Sequence, residues 1–414
     1  MAKSIVLKEY EFLYYKGIKP ENKKAHFIEE KSFLELEKFV LANEESSPYL
    51  KLTSKKGFGK ILQAQNYVGV IQTKDGSTIE ILPKIQRKDS EELSINESKS
   101  ILLKMLKTLK KSPFKHLNTA HLKSTKLPLL EIFISMFLEE LSELIRKGIK
   151  SDYLPKEENL QFLKGKLKIG EQIKHNSVHK ERFFVAYEEF SSDRVENRLI
   201  KTTLKFLYKK SRLNKNQQKI REFLFVFDDI KVSHTPKEDF KNLKLNRQMK
   251  AYESVLLYAK TFLLENSFSP YKGSDIAFAL LFDMNLLFES YVGAYLKKKG
   301  FDVTLQDKGK YLVETPKKFA LRPDIVINKG SDSEIIADTK YKNISSQKDI
   351  SQSDMYQLYA YGTKYEKTKK LYLIYPKGED ITLHNYCYIE DKLHLEILFF
   401  NIQEYCFEKE LKCQ

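Results

Sequence analysis

The stretch from Arg322 to Lys342 constrains this chain more than any other. It sets two carboxylates into apolar, strand-forming text: Arg322-Pro323-Asp324-Ile325-Val326-Ile327, a turn, then Ile335-Ile336-Ala337-Asp338-Thr339-Lys340. A carboxylate adjoining buried strand residues is costly unless a partner compensates it. Side chains on a strand alternate faces, so Asp338 and Lys340 share one face and Thr339 points away. A short return between the two runs brings Asp324 and Asp338 to one end of a sheet. The surrounding rhythm fits. A long amphipathic helix is expected from Asp275 to Lys299, stopped by Gly300. Strand character follows over 301–306, 319–328 and 334–342, then a helix from about Ser351 to Tyr365. A strand over 371–375 and two more apolar runs close the chain. Helix, three strands, helix, strand is a small sheet flanked by helices.

Phosphodiester hydrolysis needs such a grouping. Mg²⁺ takes one or two carboxylates plus waters and phosphate oxygens, and Mn²⁺ can substitute. The ion acidifies a water and shields charge building on the phosphate. Asp324 and Asp338 are the expected metal ligands, and Lys340 is expected to orient the attacking water. Asp324, Asp338 and Lys340 together have the form of the PD-(D/E)xK nuclease signature. Bare matches arise often by chance, and the bland alternative is a surface hairpin with solvated charges. The apolar flanks and the matching elements argue against it. So does Gln357-x-x-x-Tyr361, which puts both residues on one face of the following helix. That pair accompanies the signature in RecB-like nucleases. Glu289 is a candidate third metal carboxylate, against a plain surface glutamate. Arg322 and Lys342 are candidates for holding DNA phosphates, against ordinary solvated charge.

The 414 residues exceed one ordinary core. A multidomain α+β protein is expected: a β-rich region over 1–95, a mainly helical region over 96–265 and an α/β nuclease core over 266–414. In the first, 4–15 reads as strand, and Phe33, Leu36, Val40 and Leu41 fall at helical spacing. Apolar runs over 61–72 and 77–85 flank Lys74-Asp75-Gly76, a hairpin signal. Residues 86–99 read as a polar linker. The middle carries helical stripes, with 165–187 irregular or strand-like. The core fragment 266–414 is expected to fold alone.

Lys and Arg number 72 against 56 Asp and Glu, a formal charge of +16. This favours a polyanionic partner, DNA, although a lysine-rich coding bias would give the same balance. Cys387, Cys406 and Cys413 form no C-x-x-C pair, which fits a reducing compartment and no zinc site. No signal peptide or membrane span is read, so a cytoplasmic location is expected. His175 and His179 have helical metal spacing but no third ligand nearby. Gly57-Phe58-Gly59-Lys60 lacks the spacing of a Walker A loop, and this chain itself is expected to bind no nucleotide.

Several separated motifs point further. They are Asn66-Tyr67-Val68-Gly69-Val70-Ile71, the run from Gly76 to Ile85, Gly165-Lys166-Leu167, Glu189-Phe190 and the run from Glu196 to Lys201. Phe282 to Glu289, the P-D…D-T-K-Tyr text and Gln357 to Tyr361 follow in order. On these the chain resembles McrC, the nuclease subunit of McrBC-type (5-methylcytosine-dependent) restriction systems. The resemblance implies a hexameric AAA+ partner of McrB type that hydrolyses GTP and usually carries the methylated-DNA recognition domain. It implies an N-terminal part that contacts the ring, a C-terminal part that cuts DNA, and catalytic positions at Asp324, Asp338 and Lys340. The competing readings are a stand-alone RecB-like repair or recombination nuclease and a non-catalytic adaptor that activates a AAA+ NTPase.

Overall fold

The computed structural model describes residues 4–17, 24–42, 49–85, 94–110, 112–116, 126–245, 249–264, 278–378, 386–388 and 393–409. These fall into two compact units, one of residues 1–132 with 265–414 and one of residues 133–264. This division differs from three successive regions, because sequence ends that are far apart share one unit.

The first unit opens with two sheets. One runs in the order Ser4–Lys8, Thr78–Leu82, Tyr67–Gln72, Phe278–Asp283. The Lys74-Asp75-Gly76 hairpin forms as expected, with Gln72 opposite Thr78. The other runs in the order Ala25–Phe27, Phe12–Tyr14, Gly59–Ala64, Leu50–Lys55. The single apolar run expected over 61–72 is therefore two strands in two sheets, Gly59–Ala64 and Tyr67–Gln72. The helix Glu30–Ala42 closes this core with Phe33, Leu36 and Phe39.

Two further expectations are corrected. The linker read over 86–99 is a helix from Ile95 onward, Ile95–Thr108; residues 86–93 lie outside the described residues. The overlooked signal is a capping box in which Ser94 and Glu97 satisfy each other's backbone N–H. The long helix read from Asp275 is a strand, Phe278–Asp283, followed by a helix, Met284–Lys298; Asp275 itself lies outside the described residues. Phe-Ala-Leu-Leu-Phe has no polar face, so it suits a strand buried on both sides. Asp283 then caps the helix, accepting from the Asn285 N–H at 2.8 Å. The strand lies against Tyr67–Gln72, and Gly69 (φ +140°) makes that approach possible. A β-carbon there would stand 2.1 Å from the Leu280 carbonyl oxygen.

The C-terminal sheet has the order Val303–Leu305, Ile325–Ile327, Ile335–Thr339, Lys370–Pro376, Leu393–Asn401, Tyr386–Tyr388. The first three strands are antiparallel neighbours, and Lys370–Pro376 runs parallel to both its neighbours. The helix Gln352–Lys364 makes the crossover and buries Leu358 and Tyr361 against Val326, Ile336, Leu371 and Leu373. The helix and the strand after it are as expected, but the strand read over 319–328 is two: Lys317–Ala320, in a hairpin with Tyr311–Glu314, and Ile325–Ile327 in this sheet.

In the second unit the helices Val195–Lys210, Asn214–Val226 and Lys250–Leu263 pack together. An antiparallel sheet joins Asp152–Leu160, Phe183–Ser191 and Lys166–Leu167. The Glu196-Asn197-Arg198 motif serves this packing. Buried Asn197 donates to the Lys150 and Ser192 carbonyls and accepts from the Tyr252 hydroxyl. Arg198 forks onto Asp193 at 2.7 Å through both nitrogens. Among the described residues, no helix is long and apolar enough to cross a membrane.

Candidate active site

The two motif carboxylates meet because of strand register. Ile325 pairs with Ala337 in antiparallel fashion, which sets Asp324 opposite Asp338 one step further along. Directly opposed residues project to the same side of a sheet. Asp338 is 1% exposed, on the strand Ile335–Thr339. Its Oδ1 is buried without a hydrogen-bond partner. Its Oδ2 makes no directional hydrogen bond but stands 2.6 Å from the Lys340 ammonium. Lys340 continues the ladder past the strand end, its N–H donating to the Ile374 carbonyl.

Asp324 is held differently. Its Oδ2 accepts from the Thr339 N–H at 2.9 Å and from the Thr339 hydroxyl at 2.8 Å. Strand alternation alone turned Thr339 away from the site. The structure corrects this: Asp324 lies just beyond its strand, within reach of the Thr339 side chain. The helix Gln352–Lys364 supplies a third side. The Lys340 ammonium donates to Gln357 Oε1 at 3.2 Å and lies 3.8 Å from Asp354. The Gln357 amide donates to the Tyr361 hydroxyl at 2.7 Å, and that hydroxyl donates to the Arg322 carbonyl at 3.2 Å. The two residues on one helix face thus tie the lysine to the turn before Asp324. Asp354, three positions before Gln357, follows from the same spacing rule but was not singled out.

Glu289, on the helix Met284–Lys298, is buried rather than a surface charge. Its Oε2 accepts from the Gln306 amide at 2.5 Å, and the same amide stands 3.3 Å from Asp324 Oδ1. Nothing in the sequence marked Gln306. Arg322 is exposed beside this group, while the Lys342 ammonium donates to the Asp349 carbonyl. His175 and His179 each stand beside their own glutamate, Glu171 and Glu181.

The electrostatics follow from burial and crowding. Burial, then the charge of Asp324, raises the Asp338 pKa; the ammonium of Lys340 opposes the shift without cancelling it. Burial also raises Asp324, against the pull of its Thr339 hydrogen bonds and of Lys340. Burial and then the Asp324 charge push Glu289 up to about 8. Burial alone would lower Lys340, but Asp338 and then Asp354 outweigh it and raise the ammonium pKa. Buried carboxylates that raise one another's pKa are short of positive charge.

A hard divalent cation fits that deficit. The orphaned Asp338 Oδ1 and the Asp324 carboxylate provide the one or two carboxylates that Mg²⁺ takes alongside water. Among the described residues, no three His, Cys, Asp or Glu side chains are grouped to close on one ion. Glu289 stands beside this pair, its carboxylate accepting from the Gln306 amide that also reaches Asp324.

Residues 62–376 match the family described as McrBC 5-methylcytosine restriction system component. The chain is 23% identical over 287 residues to the Type IV methyl-directed restriction enzyme EcoKMcrBC of Escherichia coli strain K12. That match covers 62% of this chain and 80% of the relative. Its fold is similar to that of a chain in an assembly of Thermococcus gammatolerans McrB AAA+ hexamers with bound McrC. There the TM-score is 0.67 at 18% identity, over 99% of this chain and 97% of the other. A second likeness is to the Thermococcus gammatolerans McrBC complex, with a TM-score of 0.51 at 19% identity over 73% of this chain and 90% of that chain.

Proposed function

This chain belongs to the family of McrBC 5-methylcytosine restriction system components, and from that premise we propose that it is the subunit that cuts DNA. In this reading it is a Mg²⁺-dependent endodeoxyribonuclease with a PD-(D/E)xK core. The observation that carries the reading is the state of Asp338: a carboxylate 1% exposed, opposed to a second carboxylate, with one oxygen unclaimed. Buried polar atoms are ordinarily satisfied, so that oxygen has room for a partner.

Asp324 and Asp338 would hold the ion, with Mn²⁺ as a substitute. When bound, it supplies an acidified water and neutralises charge on the scissile phosphate. Thr339 fixes the orientation of Asp324 through its N–H and hydroxyl. The ammonium of Lys340, 2.6 Å from Asp338, would be the donor that orients the attacking water and stabilises developing negative charge. Gln357 and Asp354 keep the ammonium over Asp338. Arg322, exposed beside the group, holds a flanking phosphate.

The partner in this reading is a hexameric AAA+ GTPase of McrB type. One solved relative is described in an assembly of McrB AAA+ hexamers with bound McrC, and this chain's Gly57–Lys60 segment lies at a strand turn, with Lys60 ion-paired to Glu37. The test is cleavage of methylated and unmethylated DNA, with and without that partner and GTP. Cutting of methylated DNA that needs partner, GTP and Mg²⁺, and stops with EDTA, supports the reading. Cutting by this chain alone, indifferent to the partner, would favour a stand-alone nuclease.

A further inference from the structure

Gln306 follows the strand Val303–Leu305 at φ +52°, a left-handed conformation that residues with a β-carbon seldom adopt. The backbone on both sides holds it there. The Gln306 N–H donates to the Asp324 carbonyl at 2.8 Å, and the Asp307 N–H donates to the Pro323 carbonyl at 3.3 Å. That conformation turns the side chain in, towards Glu289 and Asp324. The end of the amide that faces them is the nitrogen. Each oxygen of Asp324 thus has its own donor: Thr339 for Oδ2 and Gln306 for Oδ1.

We propose that Gln306 is a positioning residue that makes Glu289 part of the metal site. Its amide bridges the Glu289 and Asp324 carboxylates and keeps the third carboxylate within reach of the ion held by Asp324 and Asp338. The inference rests on the metal-site reading above. Three features of the geometry support it. Glu289 is 6% exposed and has come inward from a helix with solvent-facing positions available. Two carboxyl groups share one neutral donor, the Gln306 amide. A backbone conformation that costs free energy is retained where it serves to aim that donor, and such strain gathers at functional sites.

The test is Mn²⁺ binding to the full-length, metal-free protein, followed by the electron-paramagnetic-resonance signal of the free ion, with no substrate and no turnover. Gln306→Met keeps the side chain's length and removes the amide. Gln306→Asn keeps an amide too short to span both carboxylates, and serves if the first variant folds poorly. Each is expected to weaken Mn²⁺ binding roughly 10-fold, the usual scale for groups that orient metal ligands. Glu289→Gln is expected to do the same. The double variant Gln306→Met/Glu289→Gln should bind no more weakly than Glu289→Gln alone, because both changes disable one device. Fully additive losses, or a Gln306→Met protein that binds Mn²⁺ like the wild type while Glu289→Gln is weakened, would overturn the proposal. Asp338→Ala separates the two levels. If it binds Mn²⁺ normally, the metal site itself is misplaced and the role of Gln306 falls with it.

Discussion

Glu80 and Asp338 are both buried carboxylates on strands of the same unit, and they are treated in opposite ways. Glu80 lies on the strand Thr78–Leu82 with no exposure. Its Oε1 accepts from the Leu129 N–H at 2.7 Å, and its Oε2 stands 2.7 Å from the buried ammonium of Lys99. That ammonium also donates to the Leu127 carbonyl. The carboxylate fastens the helix Ile95–Thr108 and the start of the helix Leu129–Arg146 to the sheet. Asp338 faces a like charge, keeps one oxygen unclaimed and has a lysine that is partly open to solvent. A carboxylate that holds a fold together is neutralised within the fold. One left short of positive charge is built to receive it from elsewhere.

The largest expected effect concerns the unit rather than one residue. The fragment 266–414 was expected from the sequence to fold alone. Its strand Phe278–Asp283 pairs with Tyr67–Gln72, so cutting the chain there leaves a wholly apolar strand with an open edge. The fragment is expected to aggregate, and a monomeric fragment with native-like circular dichroism would contradict this. Next is Lys99→Ala, which strands the Glu80 charge in the core. Removing one partner of a buried pair costs about 3–5 kcal/mol. Chemical denaturation should show a loss of that order.

Glu9 comes third. It is buried, and burial pushes its pKa up to about 8 despite hydrogen bonds from the Lys84 N–H and the Tyr341 hydroxyl. The folded state therefore holds this proton more tightly than the unfolded chain does. The stability this gives is full below the ordinary carboxylate range and is lost as pH rises through about 8. Glu9→Gln should leave Tm near wild type at about pH 5 and raise it at about pH 8.5. An equal shift at both pH values would contradict the assignment. Smallest in stability is Asp338→Asn. It removes a charge that its surroundings disfavour, so Tm should hold or rise slightly; a fall like that of Lys99→Ala would make Asp338 structural.

The C-terminal elements were legible because each follows a local rule. Short apolar runs marked the strands around Asp324 and Asp338, and i, i+4 spacing marked Gln357 and Tyr361. The errors arose where tertiary partners decide. Phe278–Asp283 reads equally well as helix until Gly69 on a distant strand supplies a place for it to pair. Thr339 was turned away by alternation, which does not register that Asp324 sits beyond its strand's end. Gln306 carries no chemistry that sequence inspection would prize; its importance lies in a backbone angle and in two carboxylates contributed by other elements. The buried Glu80–Lys99 pair was hidden because Lys99 fell in text read as linker.

The most direct test of the central claim uses Asp338→Asn in the complete assembly with its AAA+ partner, measuring DNA cleavage and GTP turnover in the same reaction. The account predicts that cleavage is lost in Mg²⁺ while stimulation of GTP turnover stays at the wild-type level. Cleavage that persists, or turnover that falls together with cleavage, would contradict it.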